Sequence, residues 1–233
     1  MTQQTLRREL LGENRHQAQQ NRAHFDRAGV FVVNLMSAPG AGKTTLLEQA
    51  LPLLARRHRI AVIEGEMASE LDADRLRERG VEVLSVTTGR ACHLDATMIS
   101  RALRYGETTL DLPALDVLIV ENVGNLVCPA ECEIGEHRKV ALCSVTEGVD
   151  KPLKYPTMFR AADLLVVTKR DLLPYVDVSL ERLITNAKEV NASLEVIVVS
   201  AKTGDGVLSF VRWIAAGRAT HMPAVPALAL SAS

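Results

Sequence analysis

Aromatic residues are few in this chain: Phe, Tyr and Trp together make up 3% of its 233 residues. That scarcity excludes an aromatic platform on which bases could stack. An excess of either charge is also lacking, since 27 basic residues face 28 acidic ones, so no nucleic-acid partner is expected. No apolar run reaches the ~18 residues that a bilayer span requires. The opening stretch MTQQTLRRELLGENRHQ contains no apolar segment of the kind a secretory signal uses. The expectation is a cytoplasmic protein that works without a membrane. Only four cysteines occur, Cys92, Cys128, Cys132 and Cys143. In a reducing compartment they read as metal ligands or buried side chains rather than disulfides.

What is present is an ordinary globular composition, 47% hydrophobic and 24% charged, with length enough for one large α/β domain. Residues 2–27 are polar, with a patchy apolar stripe at Leu6, Leu10, Leu11 and Ala18, which predicts a surface helix leading into the domain. From Val30 onward, short β-branched runs alternate with helical stretches. Strands are expected at 31–36, 59–65, 81–86, within 115–124, and at 139–146, 163–169 and 194–200. Helices are expected at 43–57, 70–80, 94–106, 178–190 and 206–216. Strands that are apolar on both faces and separated by helices imply an α/β fold, a mostly parallel seven-stranded sheet with helices on both faces. The divisions that follow are a helical extension over 1–28, the domain over 29–217 and a loose tail over 218–233.

The most specific motif lies between the first strand and the first helix of the domain: Ser37-Ala38-Pro39-Gly40-Ala41-Gly42-Lys43-Thr44-Thr45. A strand–loop–helix with GKT at the helix start presents backbone N–H groups to an anion. Gly40 and Gly42 let that backbone wrap a phosphate without Cβ clashes. Lys43 is placed to bridge the β- and γ-phosphates, and the Thr44 hydroxyl to bind Mg²⁺. This is a P-loop nucleotide triphosphatase signature, with Ser37 standing where the general pattern has its first Gly.

Two later loops speak to the base. The sixth strand runs into Thr168-Lys169-Arg170-Asp171, close to the NKxD segment in which GTPases read guanine N1 and N2 with the Asp and cover a face of the base with the Lys stem. Thr168 replaces the Asn. Ser200-Ala201-Lys202 follows the seventh strand, where GTPases offer a backbone N–H to guanine O6. Adenine has an amino donor at that position, so GTP is expected over ATP. Mg²⁺ takes only one or two carboxylates and keeps several waters. Asp72 and Glu121 are the expected acids and Glu66 the third choice, while any one of Glu64, Glu66 and Asp74 reads more readily as a solvated surface acid or a helix N-terminal charge.

Cys92-His93 follows the third strand and Cys128 follows the fourth. In a doubly wound fold both loops leave the ligand-binding edge of the sheet. Two thiolates and an imidazole suit Zn²⁺ or Ni²⁺, and three ligands leave a place that a dimer could complete. Small buried side chains would give the same pattern. Cys132 could be an accessory ligand, Cys143 reads as core, and the remaining histidines read as surface or structural residues.

At this point the residues resemble a known family, the hydrogenase nickel-incorporation GTPases called HypB. The likeness runs through VVNLMSAPGAGKTTLL (32–47), VIEGE (62–66), ELDADR (70–75), TGRACHLDA (88–96), IVENVGNLVCPAE (119–131) and TEGVDKPLKYPTMF (146–159). The resemblance implies a GTPase of the signal-recognition/MinD class that forms a nucleotide-linked homodimer and delivers nickel during assembly of the [NiFe]-hydrogenase active site. It implies GTP/GDP and Mg²⁺, with Asp72 and Glu121 around the Mg²⁺, and Ni²⁺ or Zn²⁺ on Cys92, His93 and Cys128. It also implies a zinc-containing nickel-delivery partner of the HypA type and the hydrogenase large-subunit precursor as partners. Two departures stand out: the chain has neither a CxxCGC motif nor a His-rich tract near its N-terminus, and Thr168 stands for Asn. A urease-type nickel GTPase would have Cys-Pro-His after the third strand, which this chain lacks. A small-molecule kinase would not need the guanine-reading loops.

Overall fold

The computed structural model describes residues 3–66, 70–89, 91–105 and 110–221. Helix α1 (Gln3–Ala28) precedes strand β1 (Phe31–Ser37), which is buried at every position. The chain continues as α2 (Lys43–Leu54), β2 (Ile60–Glu66), α3 (Leu71–Arg77), β3 (Glu82–Thr87), α4 (Ala96–Tyr105) and β4 (Val117–Glu121). Then follow α5 (Cys128–Glu131), β5 (Arg138–Ser144), α6 (Lys151–Lys154), α7 (Pro156–Ala161), β6 (Leu164–Thr168), α8 (Leu180–Val190), β7 (Glu195–Val198) and α9 (Val207–His221). The sheet order is β3-β2-β4-β1-β5-β6-β7, and every pairing is parallel. Strands apolar on both faces have little choice, because parallel sheets are covered on both sides.

Helix spacing fixes which face each helix buries. On α2, Leu46, Leu47, Ala50, Leu51 and Leu54 recur at three- and four-residue intervals and are all buried, packing with Phe210 and Ile214 of α9 against one face of the sheet. The other face is covered in two patches, one around Met36, Phe159 and Leu183 and one around Phe25, Ile63, Leu94 and Val120.

The sequence places the seven strands within a few residues of where they lie, and the helix ends differ more. The helix after the P-loop stops at Leu54 rather than Arg57, and the fifth strand ends at Ser144, where a capping box starts a 3-10 turn. Helix α1 is more than a surface helix: Ala18, Asn21 and Phe25 form a buried stripe along it. Helix α9 runs through His221, into the stretch expected to be a loose tail from 218. Residues 222–233 of that tail, and Gly106 at the expected end of a helix, lie outside the described residues. Among the described residues no helix is long and apolar enough to cross a membrane.

The architecture matters for what it gathers. The loops after β1, β4 and β6 all leave the carboxyl edge of the sheet, with β4 and β5 flanking β1, and ligands of open α/β sheets bind in the crevice at such an edge.

Candidate functional site

β1 delivers Ser37 to the edge and α2 starts at Lys43, and between them Gly40 (φ 72) and Gly42 (φ 93) hold the left-handed backbone that turns the loop. Lys43 Nζ donates to Ser37 Oγ at 2.9 Å. The serine that departs from the general motif thus anchors the lysine at the mouth of the loop. A cavity of about 430 Å³ opens here, lined by Pro39, Gly40, Gly42, Lys43, Thr44 and Thr45 on one side and by Glu64, Asp72, Arg75, Glu121 and Gly124 on the other.

Thr44 Oγ1 donates to Glu121 Oε1 at 2.7 Å. The second Glu121 oxygen is buried and has no hydrogen-bond partner among the described residues. Burial pushes the Glu121 carboxyl up to about 7, against the opposing pull of Lys43 and the Thr44 hydroxyl. An orphaned buried carboxylate oxygen needs a cation or a proton. Its partner oxygen sits from Thr44 at close to the ~3 Å that separates neighbouring ligands around a small octahedral ion. These residues therefore fit Mg²⁺. Asp72 lines the same cavity but is ion-paired to Arg75 at 2.6 Å, and Arg75 also bridges to Glu48 at 2.6 Å. The reading of Glu64 as a solvated acid is corrected: it is 2% exposed and lines the P-loop cavity. Its strand is the neighbour of β4, with Glu64 in register with Glu121, a pairing that sequence alone does not reveal. Glu66 closes β2.

Beside the P-loop a second cavity, about 330 Å³, is lined by Thr45, Thr168, Lys169, Asp171, Ala201 and Lys202 among others. Ser200 stands behind it: its hydroxyl donates to Asp171 Oδ1 at 2.6 Å and accepts from the Thr203 N–H at 3.2 Å. That contact orients the carboxylate and leaves its remaining lone pairs for a ligand. Thr168 is 3% exposed and donates to the Ala41 carbonyl at 2.6 Å, while Lys169 Nζ donates to the Gly40 carbonyl at 2.8 Å. The threonine that replaces Asn therefore ties this loop to the P-loop.

The third group lies on the same edge. Cys92 Sγ is 3.1 Å from Cys128 Sγ and 3.6 Å from His93 Nδ1, and the ligand atoms of Cys92, His93 and Cys128 lie within 4.8 Å of one another. Burial lowers the His93 imidazole below its ordinary value, with Asp95 opposing, which favours the neutral, ligating form. Burial, and then the adjacent Cys92 thiol, raise the Cys128 thiol. Cys132 falls outside this trio: it is buried, and desolvation pushes its thiol up to about 11. Cys143 is fully buried in β5, its thiol pushed up to about 12 by desolvation.

Sequence reasoning passed over three residues that shape this edge. Arg75 holds Asp72, and its signal was the three-residue spacing on one helix face. Asn125 accepts from the Val127 N–H at 2.8 Å and donates to the Cys92 carbonyl at 3.2 Å, joining the two cysteine loops. An Asn opening a turn three positions before Cys128-Pro129 was a legible Asx-turn cue. Asn122 is 1% exposed and accepts from the Leu94 N–H at 2.9 Å, a contact between distant segments with no local signal.

Residues 31–198 match the CobW/HypB/UreG nucleotide-binding domain. The hydrogenase maturation factor HypB of Azotobacter vinelandii is 48% identical over 94% of this chain and 71% of its own length. The crystal structure of HypB from Helicobacter pylori in complex with nickel has a TM-score of 0.82 at 35% identity, covering 90% of this chain and 97% of that one. The signal recognition particle 54 kDa protein of Aeropyrum pernix, at 15% identity and a TM-score of 0.56 over 82% of this chain and 48% of that one, shares the fold alone. A domain match over most of the chain and close to half of all positions shared with a full-length relative settle the kinship: the chain belongs to the HypB hydrogenase maturation factors of the CobW/HypB/UreG class.

Proposed function

We propose that this chain is a GTP-hydrolysing metallochaperone that holds Ni²⁺ or Zn²⁺ on Cys92, His93 and Cys128 and takes part in nickel insertion during maturation of [NiFe]-hydrogenase. The observation that supports this best is the Cys92–His93–Cys128 trio, with ligand atoms within 4.8 Å, on the edge that also bears the phosphate cavity. A neutral imidazole and two adjacent thiols form a soft, borderline donor set suited to these ions. Three protein ligands leave a coordination position open, and a second copy of the chain is the proposed source of its completion.

On the nucleotide side, the P-loop backbone holds the phosphates and Lys43 neutralises charge developing on the γ-phosphoryl group. Thr44 and Glu121 would hold Mg²⁺ directly, with Asp72 nearby. When bound, the ion neutralises the phosphate oxygens during transfer. Asp171, oriented by Ser200, accepts from guanine N1 and N2, with Ala201, Lys202 and the Lys169 stem completing the base site. The proposed setting is the cytoplasm, and the proposed partners are a zinc-containing nickel-delivery protein of the HypA type and the hydrogenase large-subunit precursor. The test is equilibrium nickel binding to the wild-type chain, Cys92→Ala and Cys128→Ala. Loss of the tight site in both variants is expected, and wild-type affinity in either overturns the assignment.

A further inference from the structure

Helix α1 touches both metal-bearing loops through two asparagines on one face. Asn14 Oδ1 accepts from the Ala96 N–H at 2.9 Å and its Nδ2 donates to the Glu133 carbonyl at 2.8 Å. Two turns later, Asn21 Nδ2 donates to the Ala96 carbonyl at 2.8 Å and to the Ile134 carbonyl at 3.0 Å. Ala96 follows Cys92-His93 by a few residues, and Glu133 and Ile134 follow Cys128 in the same way. Each asparagine therefore grips at once the start of α4, just past Cys92-His93, and the stretch just past α5, which Cys128 opens.

The approach of the second loop is built for this contact. Gly135 has φ 100, and a Cβ there would lie 2.7 Å from Asn21 Cβ and 2.8 Å from the Arg22 backbone nitrogen. Arg22 Nε donates to the Gly135 carbonyl at 2.8 Å. From this point a buried chain of side chains returns to the metal loop. Glu136 accepts from the Ile134 N–H at 2.7 Å and from Asn34 Nδ2 at 3.4 Å. Asn34 in turn accepts from Asn122 Nδ2 at 3.3 Å, and Asn122 accepts from the Leu94 N–H at 2.9 Å. The ring thus runs from α1 through the Cys128 side, across β1, past the residue after Glu121, and back through the Cys92 side to α1.

We infer that Asn14 and Asn21 are positioning residues for the metal site: α1 sets the separation of the Cys92-His93 loop from the Cys128 loop through the Ala96, Glu133 and Ile134 backbone. This rests on the reading of Cys92, His93 and Cys128 as metal ligands. Partners bonded directly to metal ligands commonly change metal affinity 10- to 100-fold when removed. Asn14 and Asn21 act one step further out, through the backbone, which puts the expected effect at the lower end of that range, and a half-ångström change in separation alters a thiolate–metal geometry directly.

The test uses the full chain with GDP and Ni²⁺, comparing Asn14→Ala, Asn21→Asp and Cys128→Ala. Asn21→Asp keeps the shape but turns acceptors toward two carbonyls. Asn14→Ala leaves the buried Asn21 in place and carries the test if Asn21→Asp does not fold. The readouts are the thiolate-to-nickel charge-transfer spectrum, nickel affinity by chelator competition, and GDP affinity. About a tenfold loss of nickel affinity or more with shifted absorption bands is expected in the asparagine variants, with GDP affinity unchanged. Wild-type nickel affinity and spectrum in those variants, with the absorption lost in Cys128→Ala, would overturn the positioning role alone. Wild-type absorption in Cys128→Ala would place nickel elsewhere and overturn the site reading, and this inference with it.

Discussion

Lys43 and Glu121 both line the P-loop cavity, and each makes a different prediction at the scale of one residue. Lys43 supplies the positive charge at the mouth of the P-loop, where preorganised electrostatic stabilisation is typically worth ~3 kcal/mol or more. Lys43→Ala is therefore expected to lower GTP hydrolysis by at least about a hundredfold and to weaken triphosphate binding. Single-turnover hydrolysis checks this, and wild-type turnover would refute the role. Glu121 has a folded-state value raised to about 7 from 4.5. Between those values the folded protein binds the extra proton, so stability without nucleotide and Mg²⁺ falls as pH rises through this window, and the penalty is complete above 7. The full penalty is on the order of 3 kcal/mol. Urea melts of nucleotide-free Glu121→Gln should match wild type at pH 4 and exceed it at pH 8 by ~1–3 kcal/mol, although the variant loses Mg²⁺-dependent hydrolysis. Equal stability at pH 8 would mean that the carboxylate is already compensated. Asp171, with Ser200 on one oxygen, should select guanine. Asp171→Asn is expected to lose GTP and gain xanthosine triphosphate, whose C2 carbonyl suits an amide donor, and competition binding reads the exchange.

At the scale of elements, what was legible in the sequence was local. The strand–Gly-rich loop–helix of the P-loop, the alternation of apolar strands with helices and the Cys-His pair after the third strand each sit within a short window. The features missed were pairings between distant segments. Glu64 looked like a solvated acid because nothing in VIEGE says that β4 lies beside it. Asn34, Asn122 and Glu136 are far apart in sequence and meet only because β1 is flanked by β4 and β5. The buried face of α1 was obscured by its polar character, since the residue it buries between Ala18 and Phe25 is an asparagine. One element-scale contact is open to test. Gly124, in the loop after β4, abuts the P-loop so closely that a Cβ would lie 2.9 Å from Pro39 Cα and 3.0 Å from Pro39 N. Gly124→Ala must displace one of two backbones, and misplacement on that scale can cost up to ~100-fold in rate. A fall in kcat with little change in GDP affinity is expected. An unchanged kcat would show that the loop yields without consequence for the phosphates.

On the scale of the whole molecule, β4 and the loop after it join the two chemistries. Glu121 ends the strand in contact with Thr44, Asn122 holds the backbone beside His93, and Cys128 stands seven positions on. A shift of this segment when Mg²⁺ and the γ-phosphate arrive would move Cys128 and also pull on the Cys92-His93 loop, because Asn122 and Asn125 tie that loop to it. Nucleotide state should therefore change nickel affinity, and linkage requires nickel to change GTP affinity by the same factor. A coupling of ~1–3 kcal/mol, about 5- to 150-fold, is ordinary for such a switch. The triphosphate form is also expected to dimerise with the trio near the interface, which makes the coupling depend on protein concentration. Nickel affinity measured with GDP and with a non-hydrolysable GTP analogue, at two protein concentrations, separates these contributions. Asn122→Leu, which removes the tether while leaving Cys92, His93 and Cys128 in the chain, should shrink the ratio toward one. Equal nickel affinities in the two nucleotide states of the wild type would leave a GTPase and a metal site that share an edge without communicating, since a ligand can shift an equilibrium only by its differential affinity for the two states.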